Sequence, residues 1–260
     1  MTPPVSEPTT IGVLALQGSF AEHLYALSAL PASYNLRPVP VRTAADLAPC
    51  RGLIIPGGES TAISLLIRKS GLYEPLKEFV RDAKEGRGKS IWGTCAGMIL
   101  LAREIDGPVS EGWDGLDGMD VRVGRNSYGR QGRSSQPPPP VAARQLQSFA
   151  HPLSLSFLPV TDEPLLATFI RAPLVHSLLP STSSSPVEVI ARIPAELVPS
   201  PPRAEGSTGG TSTRGPDSDA VMLRQGGLVA SSWHPELNKQ DQRVHDWWVR
   251  EVVFDGARQP

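Results

Sequence analysis

The chain has 260 residues, 40% of them apolar, with 25 Lys and Arg against 26 Asp and Glu for a net charge of −1. That balance argues against nucleic acid or an anionic membrane as a partner, and the length suits a single domain, 1–260, with a substantial core and room for insertions. No apolar run is long enough to span a bilayer, residues 1–10 lack the basic start and apolar centre of a signal peptide, and two cysteines, Cys50 and Cys95, make no disulfide framework and fit a reducing, cytoplasmic setting.

In chain order, residues 11–16 form a continuous apolar run, suited to a strand buried on both faces of a parallel sheet. Gln17-Gly18 ends it. Ser19, with Glu22 three residues on, has the capping-box pattern and predicts a helix over 20–30. Residues 36–41 read as a second strand weakened by its prolines, and 52–55 as a third that stops at Pro56-Gly57-Gly58. Helices follow over 61–70 and 73–85, divided by Gly71. A strand end at 90–92 runs into Gly93-Thr94-Cys95-Ala96-Gly97 and then a helix at 98–102. This alternation implies an α/β fold, a three-layer sandwich around a mostly parallel, doubly wound sheet.

The second half adds an antiparallel portion. Residues 121–123, 165–170, 187–193, 220–224 and 228–232 read as short strands, the last two joined by a hairpin turn at Gly226-Gly227. A terminal helix spans 241–254, with Trp247 and Trp248 docking it on the body. Two stretches read as mobile surface insertions: 132–143, with four consecutive prolines, and 199–219, rich in Pro, Ser, Thr and Gly. The prolines at 137–140 suit a spacer better than a polyproline II ligand.

The chemistry centres on Cys95. A small-flanked nucleophile between strand and helix matches the strand–turn–helix elbow of serine hydrolases, with sulfur in place of oxygen. A helix N-terminus aimed at a thiol lowers its pKa from about 8.5 toward neutrality, and the thiolate is the reactive form. The competing reading is a buried structural cysteine. Cys50, in a loop after Ala48-Pro49, has no catalytic context.

A cysteine nucleophile needs a base and a group that orients the base. His234 fits, because it lies in Ser232-Trp233-His234-Pro235-Glu236 directly after a strand. Glu236, two residues on, is placed to hold the far imidazole nitrogen and fix its tautomer. The other histidines suit other places: His23 a surface or interface, His151 and His176 positions near loops with no carboxylate two residues away, and His245 the solvent face of the last helix. Pro56-Gly57-Gly58-Glu59-Ser60-Thr61 exposes backbone N–H groups at a strand-to-helix turn, where a carboxylate or an oxyanion binds. It matches neither the P-loop nor the dinucleotide fingerprint.

Six segments, in order, carry a resemblance: Leu14-Ala15-Leu16-Gln17-Gly18, Pro56 to Thr61, Gly93 to Gly97, Arg125-Asn126-Ser127-Tyr128-Gly129-Arg130-Gln131, Phe169-Ile170-Arg171-Ala172-Pro173, and His234-Pro235-Glu236. Together they resemble the class I, triad-type glutamine amidotransferases, and within them the glutaminase subunit of pyridoxal 5′-phosphate synthase. The resemblance implies a flavodoxin-like fold and hydrolysis of L-glutamine to glutamate and ammonia through a thioester on Cys95. His234 would then be the base and Glu236 its orienter. It implies glutamine binding by Gly58, Glu59, Ser60, Arg125, Ile170 and Arg171, an oxyanion hole from the backbone N–H groups of Gly58 and Ala96, and a partner contact near Gln17 and Gly18. It also implies ammonia delivery to a separate (β/α)₈ synthase subunit in a hetero-oligomer, and requires no cofactor or metal. The rival readings are a glutaminase serving a different synthase, a cysteine hydrolase or redox-responsive protein of similar fold, and a non-catalytic regulator.

Overall fold

In a computed structural model, which describes residues 7–106, 112–125, 148–158, 164–198 and 215–254, the opening apolar run forms β1 (Thr9–Leu14). The chain then passes through α1 (Phe20–Ser28), β2 (Leu36–Val41), a short α2 (Ala44–Leu47), β3 (Gly52–Ile55), α3 (Ser60–Lys69), α4 (Tyr73–Lys84), β4 (Ser90–Thr94) and α5 (Ala96–Leu101). β5 (Ala102–Asp106), β6 (Met119–Gly124), β7 (Ser148–Leu153), β8 (Leu165–Ile170), β9 (Leu174–Leu178), β10 (Glu188–Arg192), β11 (Ala220–Gln225) and β12 (Leu228–Ser231) follow, and α6 (Arg243–Trp248) continues as a π-helical turn, Val249–Phe254.

The central sheet has seven strands in the order β10-β11-β12-β4-β3-β1-β2. From β12 to β2 every pairing is parallel, and β10 and β11 extend one edge antiparallel. Alternate residues feed two cores, as the two-residue strand period requires. Leu53, Ile55 and Ile91 pack with α3, α4 and α5, whereas Ile11, Val13, Ile54 and Trp92 pack with α1 and α6. Helices therefore cover both faces, giving the expected three layers. Trp247 and Trp248 are both buried, so they do dock the last helix on the body.

Several expectations need correction. Ser19 makes no side-chain cap to α1, so the capping box is absent there. One forms instead at α2, where Thr43 and Asp46 cap each other. Residues 102–106 leave α5 as a strand, β5, which pairs parallel with β6 while β9 pairs antiparallel on its other side. β7 and β8 form a separate antiparallel ribbon. His151 and His176 lie on these short strands, β7 and β9. The stretch 132–143 lies outside the described residues, as do residues 199–214. Residues 215–219 are described and tied down: Asp217 accepts from the Leu178 N–H at 3.1 Å and pairs with Arg192.

Candidate active site

β4 ends at Thr94, and the chain turns at Cys95 with φ 47° and ψ −103° before α5 begins. Non-glycine residues rarely take a positive φ, and such strain concentrates at functional sites. The Cys95 N–H donates to Ser231 O at 2.8 Å, tying the elbow to the end of β12. The small residue at Gly97 is needed for close approach: a Cβ there would lie 2.1 Å from Ile55 O, so α5 packs directly against β3. Ala96 is the first residue of α5, and its N–H belongs to the group that a helix leaves without an intrahelical partner.

Because β12 lies parallel beside β4, with Ser231 opposite Thr94, the chain after β12 emerges next to the elbow. The His234 N–H donates to Thr168 O of β8 at 2.9 Å, which fixes where the side chain starts. Its imidazole lies beside the Cys95 side chain, close enough for the sulfur to act on its pKa, and Nδ1 bonds Glu236 Oε1 at 2.8 Å. Burial alone would lower the His234 pKa, but the neighbouring Cys95 and Glu236 outweigh it and hold the value up at about 10. Glu236 is 2% exposed. Burial would raise its pKa, yet His23, His234 and the Ser19 hydroxyl bring it down to about 2. Sulfur, imidazole and carboxylate thus stand in a line at the carboxyl edge of a parallel sheet, where α/β folds bind ligands, with the imidazole bonded to the carboxylate and adjoining the sulfur. Such a line supports an imidazolium beside a reactive sulfur and positions a proton for transfer.

The remaining expected residues divide into groups. Gly57 abuts the His234 ring, and a Cβ there would lie 2.3 Å from its Cε1. Gly58 faces the Gln17 side chain, whose Oε1 accepts from the Glu59 N–H at 3.0 Å. Gln17 and Gly18 thus flank this turn, and Gly57 O accepts from the Ser19 N–H at 3.0 Å. Glu59 caps α3, accepting from the N–H groups of Thr61 and Ala62, so its carboxylate is engaged by the chain itself. Ser60 is buried at the start of the same helix. Arg125 reaches this helix too, with Nη1 3.5 Å from Thr61 Oγ1 and its guanidinium over the Trp113 ring. Ile170 joins the sulfur directly, its carbonyl oxygen 3.9 Å from Cys95 Sγ. Arg171 follows in the same turn, exposed and with φ 43°. Residues 126–131 of the arginine motif lie outside the described residues.

Two placements overturn expectation. His23 is not at a surface and His245 does not face solvent: they are 0% and 1% exposed. Ser19 and His23 both contact Glu236, while Thr94 and His245 meet the two ring nitrogens of His23. Histidine is polar enough to suit a helix's outer face, so only a partner distant in sequence distinguishes the buried case. Cys50 is buried with its thiol on Asp46 O, and burial pushes it up to about 11, an inert environment. Among the described residues, no group of three or more His, Cys, Asp and Glu is arranged to hold a metal. No helix there is long and apolar enough to cross a membrane.

The chain matches the SNO glutamine amidotransferase family over residues 13–138 and 141–254. It is 39% identical, over 92% of its length and 95% of the relative's, to the pyridoxal 5′-phosphate synthase subunit PdxT of Dehalococcoides mccartyi. It is 35% identical to the pyridoxal 5′-phosphate synthase subunit SNO1 of Saccharomyces cerevisiae, over 94% of this chain and 92% of that one. A crystal structure of a glutamine amidotransferase superposes with a TM-score of 0.66 at 32% identity, covering 94% of this chain and 98% of that chain.

Proposed function

The chain belongs to the SNO glutamine amidotransferase family, and from that premise we propose that it is the glutaminase subunit of a pyridoxal 5′-phosphate synthase. The juxtaposition of Cys95, His234 and Glu236, with His234 bonded to Glu236 and adjoining the sulfur, is the observation that carries this reading to chemistry.

In the proposed reaction the Cys95 sulfur attacks the side-chain amide carbon of L-glutamine. The C–O π electrons move to oxygen, and backbone N–H groups of Gly58 and Ala96 receive the charge. His234 then gives its proton to the amide nitrogen, the C–N bond breaks, and ammonia leaves a γ-glutamyl thioester on Cys95. Water, deprotonated by His234, attacks the thioester and releases glutamate and the sulfur. Because Nδ1 of His234 is engaged by Glu236, Nε2 is the nitrogen that serves the sulfur and the leaving group. Glu236 holds that orientation and balances the imidazolium charge.

Substrate placement in this reading uses Gly58, Glu59, Ser60, Arg125, Ile170 and Arg171. Arg125 reaches Thr61 at the start of α3 and the Ile170 carbonyl is against the sulfur, which supports a substrate lying between them. An arginine suits the α-carboxylate because its planar fork donates two parallel hydrogen bonds. Ammonia passes to a synthase subunit of (β/α)₈ type, with Gln17 and Gly18 beside the contact. The test is glutamate release from glutamine by the purified chain, with and without the purified synthase subunit. Release that rises with the synthase supports the proposal. No release in either mixture overturns it, and release unaffected by this synthase points to a glutaminase serving a different one.

A further inference from the structure

The line Cys95–His234–Glu236 leaves a pair of buried histidines without a role. His23, on α1, and His245, on α6, are 222 residues apart in sequence, and their Nδ1 and Nε2 atoms lie 2.9 Å apart in the core. Burying two imidazoles away from water is unfavourable unless their polar edges are matched. The facing edges are matched, and the outer edge of His23 meets Thr94 and Glu236.

On the reading of the site as a glutaminase, we propose that His23 is a positioning residue. Its Nε2 edge holds the second carboxylate oxygen of Glu236, and His245 sets the tautomer that allows this. Oε1 of Glu236 is already taken, by the Ser19 hydroxyl at 2.5 Å and by His234 Nδ1 at 2.8 Å. Oε2 is fully buried, lacks an aligned hydrogen bond, and faces His23 Nε2 at 3.3 Å. Thr94 Oγ1 lies 3.2 Å from the same nitrogen, so one N–H edge is shared between hydroxyl and carboxylate. Ser19 and His23 are four residues apart, the spacing that puts side chains on one face of a helical turn. The first turn of α1 therefore grips Glu236 from two sides.

The tautomers follow from this arrangement. If His23 Nε2 carries its proton, Nδ1 must accept, and the donor there is the Nε2–H of His245. The bare nitrogen of His245 is then Nδ1, the atom with no hydrogen-bond partner among the described residues. Trp92 packs edge-on against both rings, at 6.0 and 5.0 Å between centroids. The charged groups around the pair are Glu236 and His234 after β12, Glu22 on α1 and Asp241 ahead of α6. Burial outweighs them and keeps both rings below the ordinary imidazole value, hence neutral. A neutral N–H pins the carboxylate without competing for its charge, which remains directed at His234.

The test uses the full chain with the synthase subunit. His23→Leu is expected to lower kcat for glutamate release about 10-fold, the loss of one polar N–H contact to a buried charge, with KM for glutamine unchanged. His23→Gln, which can return an N–H toward Oε2, regains most of that loss. A second readout needs no glutamine. The pH dependence of Cys95 alkylation by iodoacetamide, followed on the Cys95 peptide by mass spectrometry, reports ionisation of the Cys95–His234 pair. Its midpoint is expected to rise in His23→Leu, and by less in His245→Phe. That arm decides the role of His23 even if the chain hydrolysed no glutamine, so the two readings fail separately. A folded His23→Leu with wild-type kcat and an unmoved midpoint overturns the proposal, as does a His23→Gln no more active than His23→Leu. If His23→Leu does not fold, an unmoved midpoint in His245→Phe overturns it.

Discussion

At the scale of single residues, the strained φ of 47° at Cys95 shows how the fold presents its sulfur. Alanine meets the same backbone without the thiol. Cys95→Ala is therefore expected to keep its melting temperature while glutamate release falls by at least about 10³-fold. Residual turnover near the wild-type rate would remove Cys95 from the mechanism. His234→Asn should be comparably inactive, because it loses the imidazole proton carrier beside the sulfur. Glu236→Gln keeps the shape and loses the charge, and its loss should be smaller by roughly 10–100-fold. A Glu236→Gln enzyme as inactive as Cys95→Ala would make Glu236 a proton carrier and not an orienter. Cys95, His234 and Glu236 were legible in sequence because each stands beside its own local signal: glycines two residues either side of the sulfur, and proline between base and carboxylate. Ser19, His23 and His245 were not, since their partners lie 217 and 222 residues away along the chain. Ser19 even carried a misleading local signal. Its hydroxyl donates to the buried Glu236 carboxylate at 2.5 Å, and the orientation this needs leaves the oxygen without a capping bond from the N–H groups of α1.

At the scale of elements, the site depends on how closely β3, β4 and α5 approach. A methyl group at Gly97 would meet Ile55 O at 2.1 Å, and one at Gly93 would meet Gly97 O at 2.5 Å. Neither neighbour is a flexible side-chain end, so relief requires moving backbone. Gly97→Ala is expected to destabilise the chain by about 1–3 kcal/mol and to lower activity in the fraction that folds, because the elbow moves with α5. Equal melting temperatures for Gly97→Ala and wild type would show that this packing is looser than the distances imply. The elements themselves were readable in proportion to their apolar contrast. β1, β2 and β3 and helices α3 and α4 fall within a residue or two of expectation. β5 did not, because Ala102-Arg103-Glu104-Ile105-Asp106 is built of helix-compatible, half-buried residues, and its strand state is set by pairing with β6 seventeen residues later. β7 contains Pro152 and has an exposed alternate face, so its identity depends on the facing β8.

At the scale of the whole molecule, the chain carries buried ionisable groups, and this sets how the fold responds to acid. His245 is held neutral, its pKa pushed down to about 3 by burial and by the neighbouring His23, against the pull of Glu236 and Asp241. In the unfolded chain the same imidazole takes a proton near pH 6.5. Between those values the unfolded state binds more protons, so stability falls as pH falls, by about 1.4 kcal/mol per pH unit for one fully excluded proton. Glu236 acts in the same direction in a lower window. Its folded value of about 2 lies under its ordinary 4.5, so its contribution is complete above pH 4.5 and is lost as pH drops toward 2. The windows separate the two groups. Between pH 6.5 and 4.5 the histidine pair dominates, and removing one ring should flatten the stability curve there while leaving the steeper loss below 4.5. Melting temperatures of wild type and His245→Phe, measured at half-unit steps from pH 7.5 to 3.5, test this. Each kcal/mol corresponds to roughly 2–4 °C in a chain of this size, so the wild type should lose several degrees more than His245→Phe across the upper window. Parallel curves would mean that His245 gains its proton in the folded state as readily as in the unfolded one. A buried neutral pair behind Glu236 would then be the wrong description of this core.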